Sequence, residues 1–243
     1  MHTLTVIMPA YNEQAAIEAA VQEVRESVLD VVPNSALLVV NDGSKDKTGE
    51  IMDRLTAADP RVQVVHKKNA GHGPALLTGL ASANAEHYLL VDSDLQIPMS
   101  AFAPLWQAVQ NGADAAFGMR IKRDDPTLRL WLTKLIRAML PVLLGVKIRD
   151  ANVPFKLFKR SVWETVSPLI PSDTLAPSLF LAVFIRKMNY CLELFEVPHK
   201  ERQTGEVSIK RWKLIKFCWR AFKQLLAFRK RLSGWMKQNQ TRS

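Results

Sequence analysis

The stretch from Tyr88 to Pro98 constrains the fold of this chain more than any other. An apolar run, Tyr88 to Val91, is typical of a short buried strand, and Asp92, Asp94 and Gln96 follow it directly. In an extended chain, alternation would place these three side chains on one side. Carboxylate and amide oxygens suit Mg²⁺ and Mn²⁺, which commonly share their remaining positions with water and substrate phosphates. The stretch predicts a metal and diphosphate site, and a plain strand-ending turn is the alternative interpretation.

Strand-like and helix-like segments alternate along the first half of the chain. The segments with strand character are Thr3 to Pro9, Ala36 to Val40, Val62 to His66, Tyr88 to Val91 and Ala113 to Phe117. The segments with helix character are Ala15 to Leu29, Gly49 to Ala58, Ala75 to Ala83 and Ala101 to Asn111. This alternation predicts an α/β fold, with a mixed, mainly parallel sheet and helices on both faces. Asn12 is expected to cap the first helix.

Polar residues stand where the predicted strands end. Glu13 follows the first strand, Asp42 the second, the Asp92 to Gln96 stretch the fourth, and Arg120 the fifth. Ligands bind at the carboxyl ends of parallel strands, so these residues predict one shared site. Two of the side chains have two interpretations each. Asp42 either closes a turn or accepts a hydrogen bond from a ligand, and Tyr11 either packs on the sheet or stacks on a nucleobase.

Four motifs, in this order and spacing, resemble those of family 2 glycosyltransferases with the GT-A fold. They are Met8-Pro-Ala-Tyr-Asn-Glu13, Asn41-Asp-Gly-Ser-Lys-Asp-Lys-Thr48, Asp92-Ser-Asp-Leu-Gln96 and Gly118-Met-Arg120. Two later stretches resemble the branch of dolichyl- or polyprenyl-phosphate mannose or glucose synthases. These are Asp150-Ala-Asn-Val-Pro-Phe-Lys-Leu-Phe-Lys-Arg160 and Arg202-Gln-Thr-Gly-Glu206. The resemblance covers most of the chain.

The resemblance implies a role for each group of residues. Nucleotide binding would involve Pro9, Tyr11, Glu13, Val40, Asp42 and Asp92. The divalent ion, Mg²⁺ or Mn²⁺, would be held by Asp92, Asp94 and Gln96. The implied catalytic residues are Asp94, Arg120, Asp150 and Arg202. The acceptor phosphate would meet Arg202, Ser208, Lys210 and Lys156.

Three positions depart from the family pattern. His72 stands where many relatives have a basic or aliphatic residue, and Lys156 replaces a common Arg. Lysine is a point charge and lacks the planar fork of arginine, so the two are not equivalent at a phosphate site. Val207 comes before Ser208, where many relatives have serine directly after glutamate. Whether Ser208 or Lys210 meets phosphate is therefore open.

The resemblance implies that a sugar is transferred, with inversion, from a GDP- or UDP-linked donor to a polyprenyl or dolichyl phosphate. Mannose and glucose are the sugars that it favours. A phosphate monoester has a second pKa of about 6, so it is largely dianionic near pH 7 and attacks without a base. The alternative acceptor is a hydroxyl of a saccharide or lipid-linked glycan in the cell envelope. That acceptor would need a general base, for which Asp150 is the candidate. Asp150 has a second interpretation, as a residue that positions the acceptor or a loop.

The positive charge of the chain is concentrated near its C-terminal end. The formal net charge is +10, and no acidic residue follows Glu206, whereas 11 of the 33 lysines and arginines do. The rest of the chain is therefore close to neutral. No nucleic-acid recognition motif accompanies the charge, so we expect no nucleic-acid partner.

Residues 1–211 are predicted to form the catalytic domain, which includes an amphipathic helical segment at 126–148. Residues 212–243 are predicted to form a basic amphipathic helix and tail. Its apolar stripe is Ile215, Cys218, Trp219, Phe222, Leu225, Leu226 and Leu232. Such a helix is typical of one that lies on a membrane surface. Packing of the stripe on the domain itself, or a homodimer formed with residues 128–148, is the alternative interpretation.

Several features predict a cytoplasmic protein that binds peripherally to the inner face of the membrane. The longest uncharged run in the amphipathic segment, Ala138 to Val146, is far shorter than the about 20 residues that span a bilayer. Met1 to Ala10 lacks the basic region of a signal peptide. Cys191 and Cys218 form no disulfide framework, and we expect both to be free, buried thiols.

Overall fold

The computed structural model of the chain describes residues 1–94, 96–120, 139–148, 150, 153–199 and 211–240, the last range with side chains from 219 to 239. Within this part, seven strands form one sheet in the order β3-β2-β1-β4-β6-β5-β7. The strands are β1 (His2–Ala10), β2 (Ser35–Asn41), β3 (Val62–His66), β4 (Ala85–Leu90), β5 (Ala115–Arg120), β6 (Lys156–Lys159) and β7 (Leu192–Val197).

Helices connect most of these strands. They are α1 (Ile17–Val24), α2 (Thr48–Ala58), α3 (His72–Ser82), α4 (Phe102–Gln110), α5 (residues 139–144), α6 (Arg160–Val166), α7 (Pro177–Lys187) and α8 (Arg211–Gln240). A π-helical turn, Arg25–Leu29, continues α1, so the predicted first helix is divided into two parts. Single 3₁₀ turns, Met99–Ala101 and Ser167–Leu169, precede α4 and follow α6.

The sheet is mainly parallel, as the sequence predicted. β1 is parallel to β2 and β4, β2 is parallel to β3, and β5 is parallel to β7. β6 was not predicted, and it runs antiparallel to both of its neighbours, β4 and β5. All seven residues of β2 are buried, as expected for a central parallel strand that is covered on both faces.

Two apolar cores lie on the two faces of the sheet. On one face, Val6 and Met8 of β1 pack in a cluster with residues of α1 and α4. On the other face, Ile7 of β1 belongs to a cluster with residues of α3, α6, α7 and α8. Successive residues of β1 thus point to opposite cores, which is the alternation of a strand. The prediction of helices on both faces is confirmed.

α8 packs on the domain through one of its faces. Leu225, Phe228 and Leu232 are almost fully buried, and the Phe228 ring lies 4.7 Å from the ring of Phe180 in α7. Burial of one such aromatic side chain contributes roughly 1.5–3 kcal/mol. The predicted single stripe is therefore wrong, because two of its members pack inward while Trp219 is 58% exposed. In the described part of the chain, no helix has both the length and the apolar character needed to cross a membrane.

Three local predictions also need correction. Asn12 does not cap the first helix, because its backbone is left-handed (φ 56°) and its Oδ1 accepts a hydrogen bond from the backbone of Lys45. α3 begins at His72, before the predicted start, directly after Gly71 with its φ of 96°. Cys191 is a free thiol, as predicted, but its side chain is exposed.

An ion-pair network at the end of α2 generates a prediction about stability. Asp59, 9% exposed, accepts hydrogen bonds from Arg61 at 2.9 and 3.1 Å, and Nε of Arg25 lies 3.0 Å from its carboxylate. The hydrogen bonds from Arg61 lower the pKa of Asp59 to about 2. Because this pKa is below the unfolded value, the carboxylate stabilises the fold above about pH 4, and this contribution disappears as the pH falls towards 2.

We expect Asp59→Asn to lower the unfolding free energy at pH 7 by about 2 kcal/mol, and to flatten the loss of stability between about pH 4 and 2. Urea denaturation over this pH range measures both effects. Asp30→Asn is the matched control, because Asp30 contacts the same arginine but its side chain is 51% exposed, so it should cost less than about 1 kcal/mol. Equal effects of the two substitutions would contradict the assignment.

Candidate active site

The strands bring the candidate residues to one edge of the sheet. β1, β2, β4 and β5 all end there, and the residues that follow or close them are Tyr11, Asp42, Asp92 and Arg120. β6 runs the opposite way, so its first residue, Lys156, pairs with the last residue of β4. The segment before β6 therefore returns to the same edge. The antiparallel strand thus adds residues 150 and 153–155 to the site.

Asp92, Asp94 and Gln96 line one cleft at this edge, beside Pro154 and Phe155. β4 ends at Leu90, and Asp94 lies in a turn, so the predicted reason for their convergence, alternation along a strand, is wrong. A turn brings the three side chains together instead, and the backbone N–H of Gln96 donates to Asp94 Oδ1 at 3.3 Å. The cleft confirms that the three predicted metal ligands are neighbours.

The donor set fits a hard divalent ion that retains other ligands. Among the described residues, no three His, Cys, Asp or Glu side chains gather into a group that could hold a metal on its own. Two carboxylates and an amide suit Mg²⁺ or Mn²⁺, because these ions usually keep waters and bind substrate phosphates in the remaining positions. The residues therefore fit an ion that arrives with a phosphorylated substrate.

Asp92 lies in an unfavourable environment for a negative charge. Burial raises its pKa, and the charge of Asp94 raises it further, while His72 opposes the shift. His72 Nε2 lies 3.8 Å from Asp92 Oδ1. A cation between the two carboxylates would favour their charged forms, so the electrostatics of the cleft are suited to one.

Arg120, the last residue of β5, is held by Asp150. Its Nε and Nη2 each donate to a carboxylate oxygen of Asp150 at 2.8 Å, and both side chains are 8% exposed. Such a bidentate pair fixes the plane of the guanidinium as well as its position. Asp150 therefore orients Arg120 at the sheet edge, and its predicted role as a base stays a prediction.

Lys156 is enclosed by protein. It is fully buried, its Nζ donates to the carbonyl of Val153, and it lies 5.2 Å from the centre of the Phe117 ring. Desolvation lowers the pKa of Lys156 to about 7, although the charge of Asp150 acts in the opposite direction. The contact with an acceptor phosphate predicted for Lys156 stays a prediction, because its ammonium faces the protein interior in this structure.

Asp42 closes the turn that leads to α3. Its carboxylate accepts hydrogen bonds from Nζ of Lys67 at 2.6 Å and from the backbone N–H groups of Ala70 and Gly71 at 3.0 and 2.7 Å. Asp42 is 3% exposed. Of the two interpretations, these contacts support the turn. A hydrogen bond to a nucleotide would come in addition and stays a prediction.

Hydrogen bonds join the loop after β1 to the loop after β2, and the sequence analysis missed them. The backbone N–H of Asn12 donates to Ser44 Oγ at 3.0 Å, and that of Glu13 donates to Thr48 Oγ1 at 2.8 Å. The sequence does contain a signal for these bonds, namely serine and threonine residues shortly after a strand. Their hydroxyl groups commonly form hydrogen bonds with nearby backbone groups. Tyr11, at the tip of the first loop, is 42% exposed, so it does not pack inside the sheet.

The remaining predicted residues divide into two groups. Pro9 and Val40 lie opposite each other in the β1–β2 pair and are buried in the sheet. Arg202, Ser208 and Lys210 lie outside the described residues, as do residues 126–138 of the predicted amphipathic segment.

A comparison with known protein families identifies the family of this chain. The chain matches the family model of Glycosyl transferase family 2 over residues 5–167. It belongs to glycosyl transferase family 2. The match includes the four motifs on which the resemblance rested, so that prediction is confirmed.

Relatives of this family 2 glycosyltransferase include an undecaprenyl-phosphate 4-deoxy-4-formamido-L-arabinose transferase from Pseudomonas aeruginosa (strain LESB58). The two are 25% identical over 214 residues, which is 87% of this chain and 62% of the relative. The chain thus spans less than two thirds of the length of that relative.

Two solved structures share the fold. Glucosyl-3-phosphoglycerate synthase from Mycobacterium tuberculosis, in complex with Mn²⁺, UDP-Glc and phosphoglyceric acid, has a TM-score of 0.66 and 18% identity, over 94% of this chain and 80% of that one. The mannosyltransferase PcManGT from Pyrobaculum calidifontis, in complex with GDP-Man and Mn²⁺, has a TM-score of 0.61 and 22% identity. The match covers 84% of this chain and 58% of that one. The predicted GT-A fold is confirmed.

The turn closed by Asp42 generates a second prediction. Asp42→Asn places an amide beside Lys67, so the partly exposed ammonium of Lys67 loses its carboxylate partner and two backbone N–H groups lose a charged acceptor. We expect faster amide exchange at Ala70 and Gly71, and a stability loss of about 1–3 kcal/mol. Hydrogen–deuterium exchange of the peptide covering 67–72 is the measurement. Asp53→Asn, at a side chain that is 63% exposed, is the control, and unchanged exchange in Asp42→Asn would show that other contacts hold the turn.

Proposed function

We propose that this chain is an inverting glycosyltransferase that moves a sugar from a nucleoside-diphosphate sugar to a polyprenyl phosphate. The observation that carries the proposal is the cleft in which Asp92, Asp94 and Gln96 meet at the end of β4. Carboxylates there suit a divalent ion that binds a diphosphate. The relative named as an undecaprenyl-phosphate transferase supports the acceptor class.

The donor would bind across the ends of β1, β2 and β4. Tyr11 is exposed there, and the loops that carry Glu13 and Asp42 are fixed by hydrogen bonds, so little ordering is needed on binding. Solved neighbours hold UDP-Glc and GDP-Man with Mn²⁺, which supports a UDP- or GDP-linked sugar and Mg²⁺ or Mn²⁺. Mannose and glucose are the sugars we propose first.

Negative charge builds on the diphosphate as it leaves the anomeric carbon. A divalent ion bound at Asp92, Asp94 and Gln96 would neutralise part of that charge. Arg120, oriented by Asp150, is a cation at this edge of the sheet, and it would stabilise the same charge. Attack from the side opposite the leaving group inverts the anomeric configuration.

The arrangement around Asp150 favours a phosphate acceptor over a hydroxyl acceptor. A hydroxyl needs a general base, and both carboxylate oxygens of Asp150, the candidate, already accept hydrogen bonds from Arg120. A phosphate monoester needs no base, because it is already largely charged near pH 7. We propose Arg202, Ser208 and Lys210 as the residues that bind the acceptor phosphate, together with Lys156.

This acceptor class supports a location at a membrane, since a polyprenyl phosphate is held in the bilayer, and we propose the cytoplasmic face. The protein would bind to the membrane surface peripherally. The alternative function, transfer to a hydroxyl of a saccharide or lipid-linked glycan, requires a membrane only when the glycan is lipid-linked. The two proposals therefore differ in where the acceptor must be presented.

A donor and acceptor screen tests the proposal. Purified protein is incubated with Mn²⁺ or Mg²⁺, each common nucleotide sugar, and either a short polyprenyl phosphate or a soluble saccharide, and release of nucleoside diphosphate is followed. We expect one donor to respond only when the lipid phosphate is present. A response to a saccharide alone would support the alternative acceptor, and no response to any pair would contradict the proposal.

Asp94→Ala tests the metal assignment. The substitution removes a proposed metal ligand in a turn at the cleft, so the fold should persist while metal-dependent turnover drops by at least about a hundredfold. Rates are measured across a Mn²⁺ titration, and circular dichroism checks the fold. Glu26→Gln, at an exposed residue of the π-helical turn, is the control and should keep the wild-type rate. Wild-type rates in Asp94→Ala would exclude Asp94 from the metal site.

A further inference from the structure

The face of α8 that points away from the domain carries an ordered set of residues. Trp219 is 58% exposed and Leu226 is 39% exposed, and Lys223, Lys230 and Lys237 are exposed as well. With 3.6 residues per turn, these five positions lie within about 60° of one another on the helix. We call them the outer strip. It lies opposite the buried face of α8 that packs on the domain.

The outer strip combines apolar and positive groups. Nζ of Lys223 lies 5.3 Å from the centre of the Trp219 ring, so an ammonium and an indole share one patch. Leu226 and Lys230 follow along the helix. The sequence of α8 contains no acidic residue, so no carboxylate of the helix itself neutralises these lysines.

We propose that the outer strip of α8 docks the protein on an anionic lipid surface. An indole and a leucine can enter the interface between headgroups and acyl chains, and lysine ammonium groups reach the headgroups from apolar stems. A nucleic acid would use the positive charge but not the apolar side chains between the lysines. A second copy of this chain would bring its own lysines against them. The mixture therefore matches negatively charged lipid headgroups above an apolar layer.

The opposite side of α8 connects this surface to the cleft. Gln224 accepts a hydrogen bond from the backbone N–H of Leu175 at 3.1 Å and donates one to the carbonyl of Asp173 at 3.0 Å. Arg220 also donates to that carbonyl, at 2.8 Å. Gln224 is 7% exposed, so its two hydrogen bonds lie beneath the surface. α8 therefore holds the segment 173–175 from one side.

The segment 173–175 lies against the start of α3 on its other side. A Cβ added at Gly73 would lie 2.1 Å from the carbonyl oxygen of Thr174, so the two backbones are in close contact. The preceding residue, His72, lies 3.8 Å from the carboxylate of Asp92 in the cleft. Docking of the outer strip would thus set the position of the cleft relative to the bilayer. This deepens the proposed function, on which it rests, because a polyprenyl phosphate presents its phosphate at that surface.

Vesicle binding tests the proposal without substrate. Wild-type protein is mixed with vesicles of phosphatidylcholine, with or without about one third phosphatidylglycerol, and sedimented at low and high salt. We expect binding to the anionic vesicles that weakens with salt. The variant Trp219→Ser with Lys223→Gln and Lys230→Gln should bind at least about tenfold more weakly, because each lysine near an anionic surface contributes severalfold to partitioning.

The control likewise removes one exposed apolar side chain and two positive charges, but elsewhere on the surface, as Val31→Ser with Arg54→Gln and Arg186→Gln. It should bind as the wild type does. The proposal would be overturned if the strip variant bound as strongly as the wild type, or if the control lost as much binding as the strip variant. It would also be overturned if the wild type formed a dimer that only the strip variant abolished. Because the vesicles contain no donor and no acceptor, an inactive but vesicle-bound protein would disprove the proposed function alone.

Discussion

The antiparallel pairing of β6 with β4 and β5 is the constraint on which the site depends. Parallel strands alone would bring only their own carboxyl ends to this edge of the sheet. Because β6 runs the opposite way, its first residue, Lys156, lies beside Leu90 at the end of β4 and beside Phe117 of β5. The segment before it supplies Asp150 to Arg120 and Phe155 to the cleft that Asp92, Asp94 and Gln96 line. The second half of the chain thereby completes a site that the first half begins.

This arrangement concentrates charge where water is largely excluded. Arg120 and Asp150 form a bidentate pair at 8% exposure, and Lys156 lies fully buried near them, with a pKa lowered to about 7. Removing one partner of such a buried pair typically costs about 3–5 kcal/mol, so the charges must be satisfied together. The charged form of Asp92 is disfavoured in the same way, since desolvation raises the pKa of its carboxyl. Charges held at this cost in stability are typical of functional sites, where ligands of the opposite sign complete the balance.

The sequence allowed much of the fold and the neighbourhood of the site to be predicted. Strand and helix periods are local, so β3 was predicted with its observed bounds, and the motif residues fell at strand ends as expected. β6 could not be predicted, because its four residues begin and end with lysine and are too few to show the alternation of a strand. Its pairing also depends on strands that are distant in the sequence. The stripe of α8 was assigned wrongly for a related reason. Hydrophobicity does not tell which apolar residues meet the domain, and Leu225 and Trp219 point in different directions. The hydrogen bonds that Asp42 accepts from the turn before α3 join residues that are far apart in the sequence, so the local sequence pattern does not predict them.

The central claim is that the end of β4 holds a divalent ion together with the diphosphate of the donor. Anomalous diffraction from crystals grown with Mn²⁺ and a nucleoside diphosphate tests it most directly, because the anomalous signal locates manganese independently of the refined coordinates. The account predicts a manganese peak between the diphosphate and the side chains of Asp92, Asp94 and Gln96. A bound diphosphate with manganese elsewhere, or a diphosphate bound away from the end of β4, would contradict it.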